Sequence, residues 1–272
     1  MTSCLRINPR SIESWLARGK LKYRQAEIKL ARNNLVLSVN GGSDEIAAAS
    51  LFGGAISDFT RVLELDARIG EAWRWRGFAH LERGIILEER EIFAESDGAF
   101  GKAIADFTHA LAINSADAEA LSGRGEVHLW QNNSSEAYAD FTRALALNPD
   151  DAYTRENRGD ALRYQGNEEA AALDYIHAYM HAVRINPNSF EIVSLSTQVS
   201  LTLSNNPENQ LALEGLKLLE SVDKGGYCFA LALDALIEGK RKAEEQARRQ
   251  QELEKQKAQN LQRQGLAAGW ML

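Results

Sequence analysis

Apolar residues recur at helical spacing along most of this chain, and one apolar pattern returns four times. It reads AISDFTRVLEL (55–65), AIADFTHALAI (103–113), AYADFTRALAL (137–147) and, more loosely, YIHAYMHAVRI (175–185). Each copy follows a partner segment that ends in Arg-Gly: Trp15–Gly19, Trp73–Gly77, Leu121–Gly125 and Arg155–Gly159. Asn-Pro follows at Asn148-Pro149 and Asn186-Pro187, and also stands at Asn8-Pro9. The pattern predicts helix pairs, repeated.

The glycines give the period. Gly125 and Gly159 are 34 residues apart, Gly77 and Gly125 are 48 apart, and Gly19 and Gly77 are 58 apart. Distances from each glycine to the following Ala137, Ala103 and Ala55 put the extra 14 and 24 residues between the two helices of their repeats. The fourth repeat carries four further residues, about one helical turn. Leu21, Ile28 and Leu35 stand at seven-residue spacing with Leu30 and Ala31 beside them, so the first insertion reads as helix rather than loop. A turn is predicted at Asn40-Gly41-Gly42, with a helix starting at Ser43-Asp44-Glu45. In the second repeat, Leu81, Ile85 and Ile92 carry the helix to a turn predicted near Ser96-Asp97-Gly98. Both hairpins are therefore expected to be elongated, and to project from the same edge of the array.

These residues resemble the tetratricopeptide-repeat (TPR) family, whose pattern is a bulky residue, Leu-Gly or Arg-Gly, Ala, an aromatic, Ala and Pro over 34 residues. The third repeat matches with Leu121, Gly125, Ala137, Phe141, Ala144 and Pro149. The second matches with Trp73, Gly77, Ala103, Phe107 and Ala110, with Ser115 where Pro is usual. The first matches with Trp15, Gly19, Ala55 and Phe59, with Val62 for Ala. The fourth matches with Gly159, Tyr179, Ala182 and Pro187. The resemblance covers roughly residues 4–187. It implies an all-α, right-handed TPR superhelical solenoid in which neighbouring repeats bury one another's apolar stripes.

The expected organisation is a TPR array over 1–222, with repeats at 12–67, 70–115, 118–151 and 152–189 and a degenerate pair at 190–222. Residues 223–272 form a capping and extended charged C-terminal helix with an apolar tail. Its first part (Phe229, Leu231, Leu233, Leu236, Ile237) is expected to cap the last repeat; from Lys240 onward it is charged nearly all round. Cys4–Pro9 reads as the last turn of a second helix whose beginning is absent, so either the native chain starts there or the sequence is a piece of a longer array.

Composition adds little but narrows the classes. The net charge of −7 argues against a nucleic-acid protein, which would show a basic face. The chain has two cysteines, Cys4 and Cys228, which give no disulfide framework and fit a reducing compartment such as the cytoplasm. Residues 1–10 hold no apolar run of a secretory signal. The longest apolar stretch reads as Phe229–Ile237, too short to span a bilayer. His177 and His181 are four apart, a spacing that can hold a metal, but no third ligand is near in sequence. His80 and His128 are related by the repeat. No nucleophile–base set, phosphate loop or Cys-pair motif is present, so neither an enzyme nor a cofactor or metal site is expected.

The resemblance implies that the first helix of each repeat lines a concave groove. Its inward residues would be Leu16, Lys20, Tyr23 and Arg24; Arg74, Phe78 and Glu82; Ser122, Glu126 and Trp130; and Tyr153, Glu156, Asn157, Asp160 and Tyr164. Bases come early and acids late, so the groove is expected to be electrically polarised and to take a partner peptide or helix in one orientation. The paired Lys, Asn and Arg with which some TPR co-chaperones hold a heat-shock carboxylate are missing. Leu16 and Lys20, Arg74 and Trp75, and Ser122 and Gly123 stand there instead. The expected function is a protein–protein adaptor or scaffold. The alternatives are a structural subunit of a large complex, held by its elongated hairpins and tail, and a regulatory segment of a larger enzyme.

Overall fold

The computed structural model describes residues 11–35, 41–187, 189–223 and 226–269. Cys4–Pro9, the turn residue Asn40 and the end of the apolar tail, Trp270–Leu272, lie outside the described residues. Eleven α-helices are present among those described, with no strand. The chain forms two compact units, residues 1–167 and 168–272.

The first unit is a stack of helical hairpins. α1 (Ile12–Leu35) pairs with α2 (Gly41–Leu65), α3 (Gly70–Glu89) with α4 (Phe93–Ile113), and α5 (Ala118–Trp130) with α6 (Ser134–Leu147); α7 (Ala152–Tyr164) follows. The first helices touch in the order α1, α3, α5, α7. Inside each hairpin a phenyl ring rests on the glycine of the opposite helix. A Cβ added at Gly19, Gly77 or Gly125 would stand 2.6, 2.9 or 2.8 Å from the ring of Phe59, Phe107 or Phe141. All three rings are fully buried.

The Arg-Gly and Asp-Phe-Thr motifs join around this contact. Arg18, Arg76 and Arg124 each hold the buried aspartate before the ring: Asp58, Asp106 and Asp140, with Nε–Oδ2 distances of 2.7, 2.8 and 2.7 Å. Each pair is bidentate, the strong form of a charge-assisted hydrogen bond. Arg76 also donates to Thr60 and Arg124 to Thr108, the threonines of the preceding repeats. One guanidinium thus closes its own hairpin and ties it to its neighbour. Trp15 and Trp73 lie flat against Arg18 and Arg76, 4.4 and 4.7 Å from ring centre to guanidinium carbon.

The elongated hairpins grow by whole turns. α3 and α4 have 20 and 21 residues against 13 and 14 in α5 and α6, so each gains seven, or two turns. α1 and α2 have 24 and 25, a gain of eleven each, or three turns. Whole turns keep the apolar stripes facing each other, and the packing motif recurs. Gly84, seven residues after Gly77, takes the ring of Phe100, seven before Phe107, at 2.5 Å from an added Cβ. In the first hairpin, buried Ala26 and Phe52 occupy the equivalent places.

The second hairpin turns earlier than the sequence suggests. Ser96-Asp97-Gly98 lies within α4, and Ser96 is buried, donating to Glu88 and to the Phe93 carbonyl. The turn is at Arg90–Ile92, where Glu91 adopts φ 60°. The Ile92 N–H reaches the Leu87 carbonyl and the Glu91 N–H reaches Glu88, a Schellman closure. Asn132 (φ 59°) and Gly166 (φ 78°) make the same closure after α5 and α7. A glutamate in this conformation carries no sequence signal.

Two further expectations change. Leu21 and Ile28 are 51% and 54% exposed; the packed face of α1 is Gly19, Tyr23 and Ala26, with Leu30 half-buried beside them. A longer apolar window than Phe229–Ile237 exists in α2, where Asp44–Leu65 is long and apolar enough to cross a membrane by length and composition. One face of it belongs to the core here. Phe52, Ala55, Phe59 and Val62 are fully buried, and it carries Asp58, bound to Arg18 and Lys22.

The second unit contains α8 (Glu168–Ile185), α9 (Ser189–Asn205), α10 (Gln210–Asp223) and α11 (Tyr227–Gly269). The fourth repeat runs one turn earlier than its sequence match. Ala171, Asp174, Tyr175 and Ala178 stand 34 residues after Ala137, Asp140, Phe141 and Ala144 and are buried, while Tyr179 and Ala182 are only partly so. The four extra residues follow them, so counting back from Pro187 displaces the register; α8 has 18 residues where α6 has 14. Phe229, Leu233 and Leu236 of α11 pack on Leu195, Val199, Leu203 and Leu219. Leu231 and Ile237 face solvent instead. Gly239 lets α11 cross the backbone of α9 near Leu203, where an added Cβ would stand 2.2 Å from the carbonyl oxygen. From Lys240 to Lys257 every residue is exposed.

The ring-on-glycine contact gives a sharp stability contrast. Gly77→Ala or Gly125→Ala is expected to destabilise by ~1–3 kcal/mol despite alanine's better helix propensity, because the ring must move. Gly101→Ala, in the middle of α4 with nothing within 4 Å of the new Cβ, is expected to stabilise by about 0.5–1 kcal/mol. Thermal unfolding of the three variants checks this; a common sign for all three would contradict it.

Candidate partner-binding groove

The face built by α1, α3, α5 and α7 is held together by polar contacts between successive first helices. Lys20 pairs with Glu71 and lies over the Trp75 ring at 5.7 Å. The Tyr23 hydroxyl donates to Glu82 Oε1 at 3.3 Å. Arg74 holds Asp117 at 2.8 Å and Glu119 at 3.0 Å. Asp117 also caps α5 through the Ala120 N–H at 3.0 Å. Ser122 and Thr154 hydroxyls share a hydrogen bond of 2.8 Å, and the Tyr153 hydroxyl binds the Glu126 carboxylate.

The predicted groove residues therefore divide. Lys20 and Arg74 are engaged by acids of the chain itself, so two of the three bases of the expected polarity are neutralised. Tyr23 is 5% exposed and packs edge-on against Phe52 and Trp75, each 5.2 Å away. Leu16 belongs to the core between hairpins. Phe78 is partly buried, edge-on to Phe107 at 5.0 Å. Arg24 is exposed on α1, and Glu156 is partly buried on α7.

The remaining residues come together. Glu126, Trp130, Asn157, Asp160 and Tyr164, joined by Leu129 and Asn132, line a cavity of about 390 Å³ between α5 and α7. Its aromatic rims are open: Trp130 is 39% exposed and Tyr164 61%, with Tyr153 55% exposed one step along the face. Trp130 is stacked on Phe100 at 6.3 Å, which fixes its plane. Asp160 pairs with Arg163 at 3.0 Å, and the Arg163 guanidinium lies 5.2 Å from the Tyr164 ring. The buried Asn157 amide points its Nδ2 toward the Tyr153 hydroxyl of the same helix.

Beside the cavity lies a row of carboxylates from α1, α3 and α5: Glu27, Glu82 and Glu126. Burial, reinforced by the charge of Glu126 and then of Glu27 and Glu89, pushes Glu82 up to about 7. Burial also raises Glu126. The Tyr23 and Tyr153 hydroxyls are pushed upward by burial and by these acids, so they remain donors. Sequence reading missed Glu27. Glu27 is one turn beyond Tyr23, in the part of α1 that exceeds the ordinary repeat. On the opposite side of the hairpin, burial holds His80 down to about 4. Among the described residues no group of three His, Cys, Asp or Glu side chains is arranged to hold a metal.

Residues 118–151, which span α5 and α6, match the family model of the tetratricopeptide repeat. The two preceding hairpins make the same glycine, ring and arginine–aspartate contacts in the same frame. Residues 118–151 are thus a tetratricopeptide repeat, set in an all-α array of like hairpins. The TPR array is similar to the crystal structure of MamA, with 21% identity over 77% of this chain and 99% of that one and a TM-score of 0.40. A second MamA crystal structure gives 20% identity over 82% and 91%, with a TM-score of 0.43. YrrB, described as a TPR protein with an unusual peptide-binding site, gives 18% over 71% and 90%, with a TM-score of 0.37. A sequence comparison with curated proteins found no match.

The position of Glu82 makes stability depend on pH. Its carboxyl ionises near 4.5 when unfolded and near 7 when folded, so its contribution is complete below about 4.5 and is lost as pH rises through 7. Glu82→Gln keeps the shape and removes the charge. The variant is expected to match the parent near pH 5 and to exceed it at pH 8 by on the order of 3 kcal/mol. Thermal unfolding at both pH values checks this; an equal difference at both would contradict it.

Proposed function

We propose that the TPR groove on α1, α3, α5 and α7 captures an extended or helical segment of a partner protein, making the chain an adaptor or scaffold without catalysis of its own. The observation that carries this is the open aromatic rim of Trp130, Tyr153 and Tyr164 beside a cavity of about 390 Å³. Aromatic anchors of this kind supply most of the energy at protein interfaces. Stacking on Phe100 fixes the Trp130 plane and the polar contacts fix the helix spacing, so little order has to be imposed on binding. The reading includes a reducing compartment such as the cytoplasm, supported by the free thiol of Cys228.

A second reading has its own support. Every residue from Lys240 to Lys257 is exposed, as are Leu21, Ile28 and Ile46 on the elongated first hairpin. In that reading the chain is a structural subunit of a larger complex, held by these surfaces.

Affinity capture followed by mass spectrometry separates the two. Trp130→Ala with Tyr164→Ala, both at exposed positions, is expected to remove the main partner, while a chain ending at Lys240 keeps it. Retention by the double variant and loss by the truncation would favour the structural-subunit reading instead.

A further inference from the structure

We propose that the groove takes a cationic side chain of its partner, an arginine or lysine, into the cavity between α5 and α7, over the Trp130 and Tyr164 rings and against the Glu126 carboxylate. This rests on the groove reading and names the chemistry of its anchor.

Charge pairing in the first unit points there. Its buried aspartates all have a cation of the chain beside them: Asp58 has Arg18 and Lys22, Asp106 has Arg76, Asp117 has Arg74, and Asp140 has Arg124. The groove carboxylates are treated differently. Glu82 and Glu126 bind the hydroxyls of Tyr23 and Tyr153, and the charged groups that act on Glu82 are the acids Glu126 and Glu27 from neighbouring helices and Glu89 from its own. A tyrosine hydroxyl leaves the carboxylate's remaining lone pairs for a further donor.

The cavity walls fit that donor. Its lining contains two carboxylates, two amides, two aromatic rings and a leucine, and no Lys, Arg or His. Rings with open faces beside a carboxylate are a setting for cations, by attraction to the ring quadrupole and by ion pairing together. The chain supplies an example at the rim, where Arg163 lies over Tyr164 and pairs with Asp160. That contact occupies Asp160 and leaves Glu126 for the partner. A volume of about 390 Å³ lies at the small end of ligand pockets and suits one long side chain rather than a large cofactor. The Asn157 amide on the same wall has two N–H donors, and the one not aimed at Tyr153 can serve a main-chain carbonyl of the segment carrying that side chain.

The test is selection of a displayed library of random 12-residue peptides on the full chain, with Trp130→Ala/Tyr164→Ala and Glu82→Gln/Glu126→Gln as counter-selections. Both pairs are first shown to keep the parent's helical circular dichroism. The expected result is enrichment of Lys or Arg at one fixed position. Replacing that residue by Gln in the synthetic peptide should weaken binding at least ten-fold by fluorescence anisotropy, and the glutamine pair should lose the same factor. Peptides that need Trp130 and Tyr164 but show no cationic preference would overturn the inference and leave the groove reading standing. Peptides indifferent to both pairs, or no enrichment, would overturn both.

Discussion

The contact on which the molecule depends is a buried phenyl ring lying directly on a glycine of the partner helix, made by Phe59 on Gly19, Phe107 on Gly77 and Phe141 on Gly125. No side chain fits between ring and helix, so each ring sets the separation of its hairpin. Protein interiors are packed too densely for that distance to drift. The same ring brings its preceding aspartate under the arginine that precedes the glycine. The arginine then reaches the threonine of the repeat before it. A local packing contact and a buried ion pair are therefore one unit, and the stacking of repeats follows from it.

Insertions respect this constraint. Seven residues on each helix of the second hairpin, and eleven on each of the first, are close to two and three turns. A lengthening by a fraction of a turn would rotate one stripe away from the other. Gly84 and Phe100 repeat the ring-on-glycine contact two turns up, so the arm is built from the motif it extends. Because the hairpin interiors use the second helices and the inner faces of the first, the other faces of α1, α3, α5 and α7 remain for a groove. There the chain places acids and aromatic rings, and answers the acids with tyrosine hydroxyls.

Much of this was legible in the residues. The 34-residue recurrence, the position of the insertions and the place of Phe107 opposite Gly77 could be read because glycine, alanine and the aromatic ring are each required by a specific approach of two helices. The turn at Glu91 could not, since a left-handed glutamate looks like any helical glutamate. The register of the fourth repeat was displaced because four extra residues follow the aromatic rather than precede it. Leu21 and Ile28 read as a core stripe since periodicity names a face without saying which way it points. In the groove, the cavity residues Glu126, Trp130, Asn157, Asp160 and Tyr164 were found by frame alone. The neutralisation of Lys20 and Arg74 was not, because their partners Glu71, Asp117 and Glu119 come from the next repeat.

The most direct test of the groove as the partner's seat is site-specific photo-crosslinking in the full chain. A benzophenone side chain would stand at Tyr164 in one preparation and at Leu253 of α11 in another. The account predicts covalent capture of the partner from Tyr164 and none from Leu253. Capture from Leu253 with none from Tyr164 would contradict it.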